Sequence, residues 1–323
     1  MKALVVSALA QDFSRVALTD IAAPEPGAGE VRVKVEGASL NFPDLLMLKG
    51  EYQFKPEPPF VPGMDFAGVV DALGEGVSDL AVGDRVAGGA KTGAFAEFTV
   101  AKADGLERVP DGFGMAQAAS YPAAYTTAYV SLVERARLQP GETLLVQGAS
   151  GGVGMATIDV GRILGARVIA TTGSAEKVAA LKAYGADEVL LAPGFRERVK
   201  ELTGGRGVDV IFDPVGGDVF DESARCIAFG GRLLVVGFAG GRIANVATNI
   251  PLIKGFSVMG VRAGEYGRQF PEKGRVVRDT IWRWAAEGRT RPAVFAELPL
   301  ERWQEAFGLM RDRGLVGKIV LRP

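Results

Sequence analysis

The sequence predicts an α/β chain: a doubly wound parallel sheet, helices on both faces, joined to a mostly-β portion. Three observations predict it. From residue 143 to 261, strand-like apolar runs alternate with helix-like stretches through short turns, the pattern of parallel sheets. A glycine-rich turn, Gly148-Ala149-Ser150-Gly151-Gly152-Val153-Gly154, joins the first of those strands to the first of those helices. Ahead of it, short β-branched runs sit between Gly and Pro signals, as in an all-β unit.

Taken in order, Met1-Lys2-Ala3-Leu4-Val5-Val6 reads as a first strand, not a secretory leader. It carries one Lys and a minimal apolar stretch, and structured-looking sequence follows at once. Strands follow at 31–35, 68–73, 84–87 and 94–100. Residues 54–63 hold Pro56, Pro58, Pro59 and Pro62, which lack the N–H donor, so this stretch is a loop. Residues 117–137 read as helix broken by Pro122, and Pro140-Gly141 ends it. Then come strand 143–147, helix 153–164, strand 167–171, helix 175–184, strand 188–191 and helix 195–203. Strand 208–212, helix 220–229, strand 232–236 and a sixth strand, 256–261, complete the series. Residues 264–323 hold a helix around Trp282 and Trp284, another through Trp303 and Met310, and a closing strand at 318–321.

Composition narrows the chemistry. The 323 residues exceed one ordinary core, so two domains are expected. A formal net charge of −1 offers no field to attract nucleic acid or an anionic membrane. No run approaches the ~18 apolar residues that span a bilayer. Cys226 is the only cysteine, which excludes an intramolecular disulfide and fits a reducing cytoplasm. There is no histidine, so Ser-His-Asp and Cys-His catalysis are excluded, and no Cys/His set can hold zinc. No clustered acidic loop suggests magnesium or calcium either. The expected metal is none.

The glycine-rich turn points to a dinucleotide. It follows Ala-x-Gly-x-x-Gly, with Ala149 in place of the first glycine of the fingerprint. Gly151 lets the backbone approach a pyrophosphate, Gly154 lets the helix pack on the sheet, and Ser150, Gly152 and Val153 lie along the same approach. The helix start then presents N–H groups and partial positive charge to the phosphates. NAD-binding versions place an acid about 20 residues on, at the end of the second strand. Here Thr171-Thr172-Gly173-Ser174-Ala175-Glu176-Lys177 stands instead. Small residues leave room for a 2′-phosphate, with Ser174 and Lys177 as donors and Thr172 and Gly173 beside them. The cofactor expected is NADPH. Glu176 as a ribose acid, and Lys177 as an ordinary solvated helix lysine, are the competing readings.

These residues resemble the zinc-independent quinone oxidoreductases of the medium-chain dehydrogenase/reductase superfamily. The marks run the length of the chain. They include Asn41-Phe42-Pro43-Asp44 with Tyr52, Pro62-Gly63-Met64-Asp65-Phe66-Ala67-Gly68 and Val82-Gly83-Asp84-Arg85-Val86. Thr126-Thr127-Ala128-Tyr129, the glycine-rich turn, Gly237-Phe238 and Gly317-Lys318-Ile319-Val320 complete them. The resemblance implies a Rossmann domain, residues 125–262, inserted in a GroES-like catalytic domain made of residues 1–124 and 263–323, with the nicotinamide in the cleft between. Zinc-dependent relatives carry a Cys near the position of Asn41 and a His near Met64; this chain has neither. By resemblance, Asn41 and Tyr52 hydrogen-bond the acceptor oxygen as catalytic residues. Thr127 packs near the nicotinamide, Val215 and Phe238 border its ribose and ring, and Arg262 approaches the phosphates or the substrate mouth. A Tyr that relatives place against the 2′-phosphate is replaced here by Ala192-Pro193. The bland alternatives are a turn asparagine at Asn41, a loop aromatic at Tyr52 and plain packing at Phe238. Asp44, Asp65 and Asp213 read as loop-pinning residues, and Cys226 as core within an apolar helix.

The function expected is metal-free hydride transfer from NADPH to quinones or related conjugated carbonyls, in a cytoplasmic homodimer. Reduction of an enoyl or alkenal C=C bond, with the thioester as one substrate form, is the rival on the same scaffold. The resemblance also brings a non-enzymatic alternative, since the family includes lens structural proteins and single-strand RNA binders. The near-zero net charge and lack of a basic stripe argue against RNA.

Overall fold

In the computed structural model, which describes residues 1–323, the chain divides into two units. One comprises Met1–Ala123 and Pro292–Pro323, the other Ala124–Arg291. In the first, β1 (Lys2–Val6) and β2 (Val16–Asp20) pair antiparallel, and β3 (Glu30–Ser39) follows. The alternation Val31-Arg32-Val33-Lys34-Val35 puts the three valines in the core and leaves Lys34 exposed, the period-two signature of a strand with one buried face. Helix α1 (Phe42–Lys49), β4 (Asp65–Leu73), β5 (Arg85–Gly89), β6 (Phe98–Lys102), β7 (Glu107–Arg108) and α2 (Met115–Ala119) come next.

The second unit opens in α3 (Pro122–Tyr129), which runs into a π-helical turn, Val130–Arg135. There follow β8 (Thr143–Val146), α4 (Gly152–Ile163), β9 (Arg167–Thr172), α5 (Val178–Tyr184), β10 (Glu188–Leu191), α6 (Phe195–Leu202) and β11 (Val208–Asp213). Then come α7 (Gly217–Ser223), β12 (Ile227–Val235), α8 (Asn249–Lys254), β13 (Ser257–Gly260), α9 (Ala263–Gln269) and α10 (Pro271–Ala286). The chain returns to the first unit in β14 (Val294–Pro299), α11 (Trp303–Arg311) and β15 (Lys318–Arg322).

The second unit's sheet is parallel throughout, in the order β10-β9-β8-β11-β12-β13. The strand order reverses direction between β8 and β11, the topological switch point of a Rossmann fold. Its core joins Leu145, Ile169, Phe195, Ile211, Phe220 and Leu233. The first unit has the GroES-like arrangement, a sheet ordered β14-β15-β3-β4-β5-β7 with β6 also on β3. β15 lies antiparallel to β3, pairing Val320 with Ser39, so the last strand is built beside the chain segment that enters α1. Leu4, Leu40, Phe66, Phe95, Trp303 and Phe307 share its core. No helix is long and apolar enough to cross a membrane.

Three sequence expectations need correction. The helix expected over 220–229 is α7, which ends at Ser223, and Ile227 already belongs to β12. Apolarity marked the run as buried without settling its period. Gly230, at φ +76°, accompanies a register irregularity opposite β11, and the strand continues past it. Cys226 therefore lies between α7 and β12, not within a helix, although it is buried as expected. The strand expected over 94–100 begins only at Phe98. Finally, the second unit continues past residue 262 to Arg291. Trp284 of α10 packs on Tyr129 with ring centroids 5.5 Å apart, and the Arg291 N–H binds Asp159 of α4 at 2.8 Å.

Candidate active site

In a parallel sheet all carboxyl ends lie on one edge, and the expected cofactor residues that follow β8, β9, β11, β12 and β13 lie there. Gly148, at φ +58°, makes the turn after β8, and the Ala149 N–H donates to the Thr171 carbonyl of β9 at 3.0 Å. The Gly151 N–H turns back to the Gly148 carbonyl, and that of Met155 to Gly151. The N–H groups of Gly152, Val153 and Gly154 are left at the open end of α4, where an α-helix has no partners of its own for them. A Cβ on Gly154 would lie 2.7 Å from the Ala149 Cα, so only glycine lets α4 approach the turn this closely. A Cβ on Gly151 would meet nothing nearer than the Gly148 carbonyl oxygen at 3.6 Å. The cradle beside Gly151 is open, and its N–H donors suit a pyrophosphate.

The loops after the neighbouring strands complete this edge. Thr172 is buried, Gly173 exposed and Ser174 half-buried at the end of β9. Lys177 closes a 3₁₀ turn, Ala175–Lys177, ahead of α5, where the sequence suggested the first turn of a longer helix. It is not a solvated lysine: only 8% of its surface is exposed, and burial pulls its pKa below the ordinary lysine value against the opposing pull of Glu176. After β11, Asp213 Oδ1 accepts the N–H groups of Val215 and Gly216 at 2.8 and 2.9 Å. Burial raises its pKa, which those two donors partly offset. Val215 lies against the turn at Gly148, and Phe238 against Gly216. The Ala239 and Gly240 N–H groups donate to Pro214 and Val215 carbonyls at 3.0 and 2.8 Å, tying the β11 and β12 loops together. Thr127 is half-buried in α3 and its carbonyl accepts the Ser131 hydroxyl. Arg262 is exposed past β13, 3.8 Å from Glu265.

Gln147 and Ser223 support this edge and carry no signal in the sequence. Gln147 is wholly buried; its Nε2 donates to Ser223 Oγ at 2.9 Å, and its Oε1 accepts Thr171 Oγ1 at 2.5 Å. A buried glutamine between two hydroxyls fixes the ends of β8 and β9 just below the glycine-rich turn.

In the first unit, Asn41 enters α1 and Tyr52 sits half-buried in the loop after that helix. The Asn41 N–H donates to Asp44 Oδ2 at 2.8 Å, so Asp44 does pin the helix start. Asn41 Nδ2 donates to Asp65 Oδ2 at 3.0 Å and to the Ser39 carbonyl at 3.2 Å, while its Oδ1 accepts Lys318 Nζ at 2.6 Å. The expected role of Asn41 as donor to an acceptor oxygen meets an obstacle here, because both amide hydrogens are engaged. Asp44, Asp65 and Lys318 are all buried. Burial lifts the Asp44 pKa to about 7, opposed by the Asn41 and Gly63 backbone and by Lys318, and reinforced by Asp65. Burial also raises Asp65 and lowers Lys318, each countered by the other's charge. Two carboxyls and one ammonium share a dry site, where burial favours the protonated form of Asp44. Asp44 Oδ1 and Ser39 Oγ have no hydrogen-bond partner.

Cys226 is buried and its thiol is pushed up to about 12, mainly by burial, so it offers no nucleophile. No three His, Cys, Asp or Glu side chains group as they would around a metal ion.

The chain is similar to known proteins along its whole length. Residues 27–111 match the family model of the alcohol dehydrogenase GroES-like domain, and residues 152–277 that of the zinc-binding dehydrogenases. Quinone oxidoreductase-like protein 2 of Mus musculus is 42% identical over 303 residues, which cover 93% of this chain and 87% of that protein. A mycobacterial structure complexed with NADPH is 32% identical with a TM-score of 0.92, covering 100% of both chains. A mycocerosic acid synthase-like polyketide synthase of Mycobacterium tuberculosis is 33% identical over 298 residues, 92% of this chain and 14% of that protein.

Proposed function

Because the chain belongs to the quinone oxidoreductase-like branch of the medium-chain dehydrogenase/reductases, a family of oxidoreductases, we propose that it reduces quinones or related conjugated carbonyls with NADPH and without a metal. The observation that carries the cofactor reading is the edge where Gly151 opens a cradle, β9 ends without an acid and Lys177 is buried. The NADPH held by the mycobacterial neighbour supports it. Bound NADPH supplies the hydride, and a proton completes a two-electron reduction of quinone to hydroquinone, leaving NADP⁺.

The chain's own residues bind and orient. Ala149, Ser150, Gly151, Gly152, Val153 and Gly154 receive the pyrophosphate on backbone N–H groups and the positive end of α4. Thr172, Gly173, Ser174 and Lys177 take the 2′-phosphate, and Lys177 supplies the charge. Val215, Phe238 and Thr127 flank the nicotinamide, and Arg262 guards the outer phosphates or the substrate mouth. Tyr52, whose phenol both donates and accepts, hydrogen-bonds the acceptor oxygen as negative charge develops there. Absence of histidine and burial of the only cysteine support the metal-free reading. A homodimer is part of the proposal, supported by the apolar surface around the sheet edge at β13.

Resemblance to a polyketide synthase segment favours one second reading, reduction of an enoyl thioester C=C bond. NADPH oxidation against quinones, alkenals and enoyl thioesters, with the products identified, separates the two. Turnover confined to thioesters, giving the saturated acyl product, would replace the quinone reading.

A further inference from the structure

A side-chain amide has a preferred direction only when its neighbours impose one, and those of Asn41 do. Lys318 Nζ donates to Asn41 Oδ1 at 2.6 Å and to the Leu40 carbonyl at 3.0 Å. On the other side, Asn41 Nδ2 donates to Asp65 Oδ2 and to the Ser39 carbonyl. An ammonium has hydrogens only to give, and an ionised carboxylate has only lone pairs. Turning the amide over would set Nδ2 against Nζ and Oδ1 against Oδ2, replacing attraction by repulsion at both ends. The three side chains are at least nine-tenths buried, so water cannot substitute for the lost partners. Both Asn41 hydrogens are thereby used, and the remaining valence is the second lone pair of Oδ1. The Leu40 N–H binds the Ile319 carbonyl at 2.9 Å, which holds Lys318 at its post from the last strand.

We propose that Lys318 and Asp65 are positioning residues that lock the Asn41 amide in this orientation, so that Asn41 offers a ligand an acceptor and the group it meets is a hydroxyl. The inference rests on the reading that Asn41 borders the reacting centre, and it deepens that reading: the hydroxyl belongs either to the cofactor ribose or to the hydroquinone product. Lys318 thus supplies, through Asn41, a fixed polarity at the position where zinc-dependent relatives are expected to carry a metal-ligating Cys.

The lock is testable without cofactor or substrate. In wild type, the Asn41 side-chain amide signal, identified by its loss in Asn41→Leu, should exchange with solvent at least tenfold more slowly than exposed asparagine amides. Exchange at the exposed rate overturns the proposal, whatever any variant does. The charge-balanced pair Lys318→Met/Asp65→Asn, in which either orientation is tolerated, should lose that protection, and Lys318→Arg should keep it. Protection persisting in the pair also overturns the lock. With NADPH and a quinone, the pair should lose about tenfold in kcat/KM, and Lys318→Arg should restore most of it. Weaker NADPH binding in the pair assigns the hydroxyl to the cofactor; weaker inhibition by hydroquinone alone assigns it to the product; neither change overturns the ligand assignment. A wild type inert toward every acceptor would defeat the functional reading while the exchange measurement still decides the lock.

Discussion

At the scale of single residues, two buried titratable groups make opposite demands. Lys177 is the sharper case for function. A hydrogen bond to a charged partner contributes roughly 1.5–3 kcal/mol, on the order of 10- to 100-fold in affinity. Lys177→Ala should weaken NADPH by that factor and leave NADH nearly unchanged, since NADH has no 2′-phosphate to lose. Fluorescence titration of both cofactors checks it; equal losses would reduce Lys177 to a packing residue. Asp44 is the case for stability. Its pKa is raised from 3.8 to about 7, so the folded chain holds that proton more tightly than the unfolded one. The stabilising contribution is whole below the unfolded value and is lost as pH rises through about 7. Asp44→Asn keeps an acceptor for the Asn41 N–H and cannot ionise. Its melting temperature relative to wild type should therefore climb between about pH 4 and about pH 7 and level off above. A flat difference would show that Asp44 titrates as an ordinary carboxylate beside Asp65 and Lys318.

At the scale of elements, two glycines of one turn separate folding from binding. A Cβ on Gly154 meets backbone at 2.7 Å, so Gly154→Ala must push α4 off the sheet, at roughly 1–3 kcal/mol, the usual range for overpacking. Gly151→Ala adds its methyl to open space in the cradle. It should melt with wild type yet lose NADPH affinity, whereas Gly154→Ala should lose melting temperature first. Thermal unfolding beside cofactor titration tests the pair, and the reverse order would refute the division of labour. The sheet edge makes the other element-scale prediction. β13 is one of the sheet's two edge strands, and Phe229, Leu252 and Ile253 near it are 87%, 81% and 74% exposed. Apolar surface at a sheet edge invites pairing with a second copy. Light scattering at micromolar concentration should give a dimer, and Leu252→Glu a larger monomer fraction. A monomeric wild type would remove the dimer from the proposal.

At the scale of the molecule, legibility followed sequence distance. The strand–turn–helix at Gly148–Gly154 could be read because all its parts are contiguous, and the alternation after it dictated a parallel sheet. The helix 220–229 misled because an apolar run does not distinguish a buried helix from a buried strand. The end of the second unit at Arg291 was hidden because it depends on Trp284 meeting Tyr129 and on Arg291 meeting Asp159, contacts with no local signature. The Asn41 network was hidden for the same reason: Lys318 reaches Asn41 across 277 positions of sequence. Asp44 and Asp65 could be recognised as pinning residues, but their shared burial with a lysine could not. Cofactor and metal are tested together by the initial rate of cofactor oxidation by chelator-treated enzyme with a quinone, NADPH against NADH. Turnover should be undiminished by the chelator, with kcat/KM for NADPH at least about tenfold that for NADH. Activity that disappears with chelator and returns with zinc, or a preference for NADH, would contradict the proposed function.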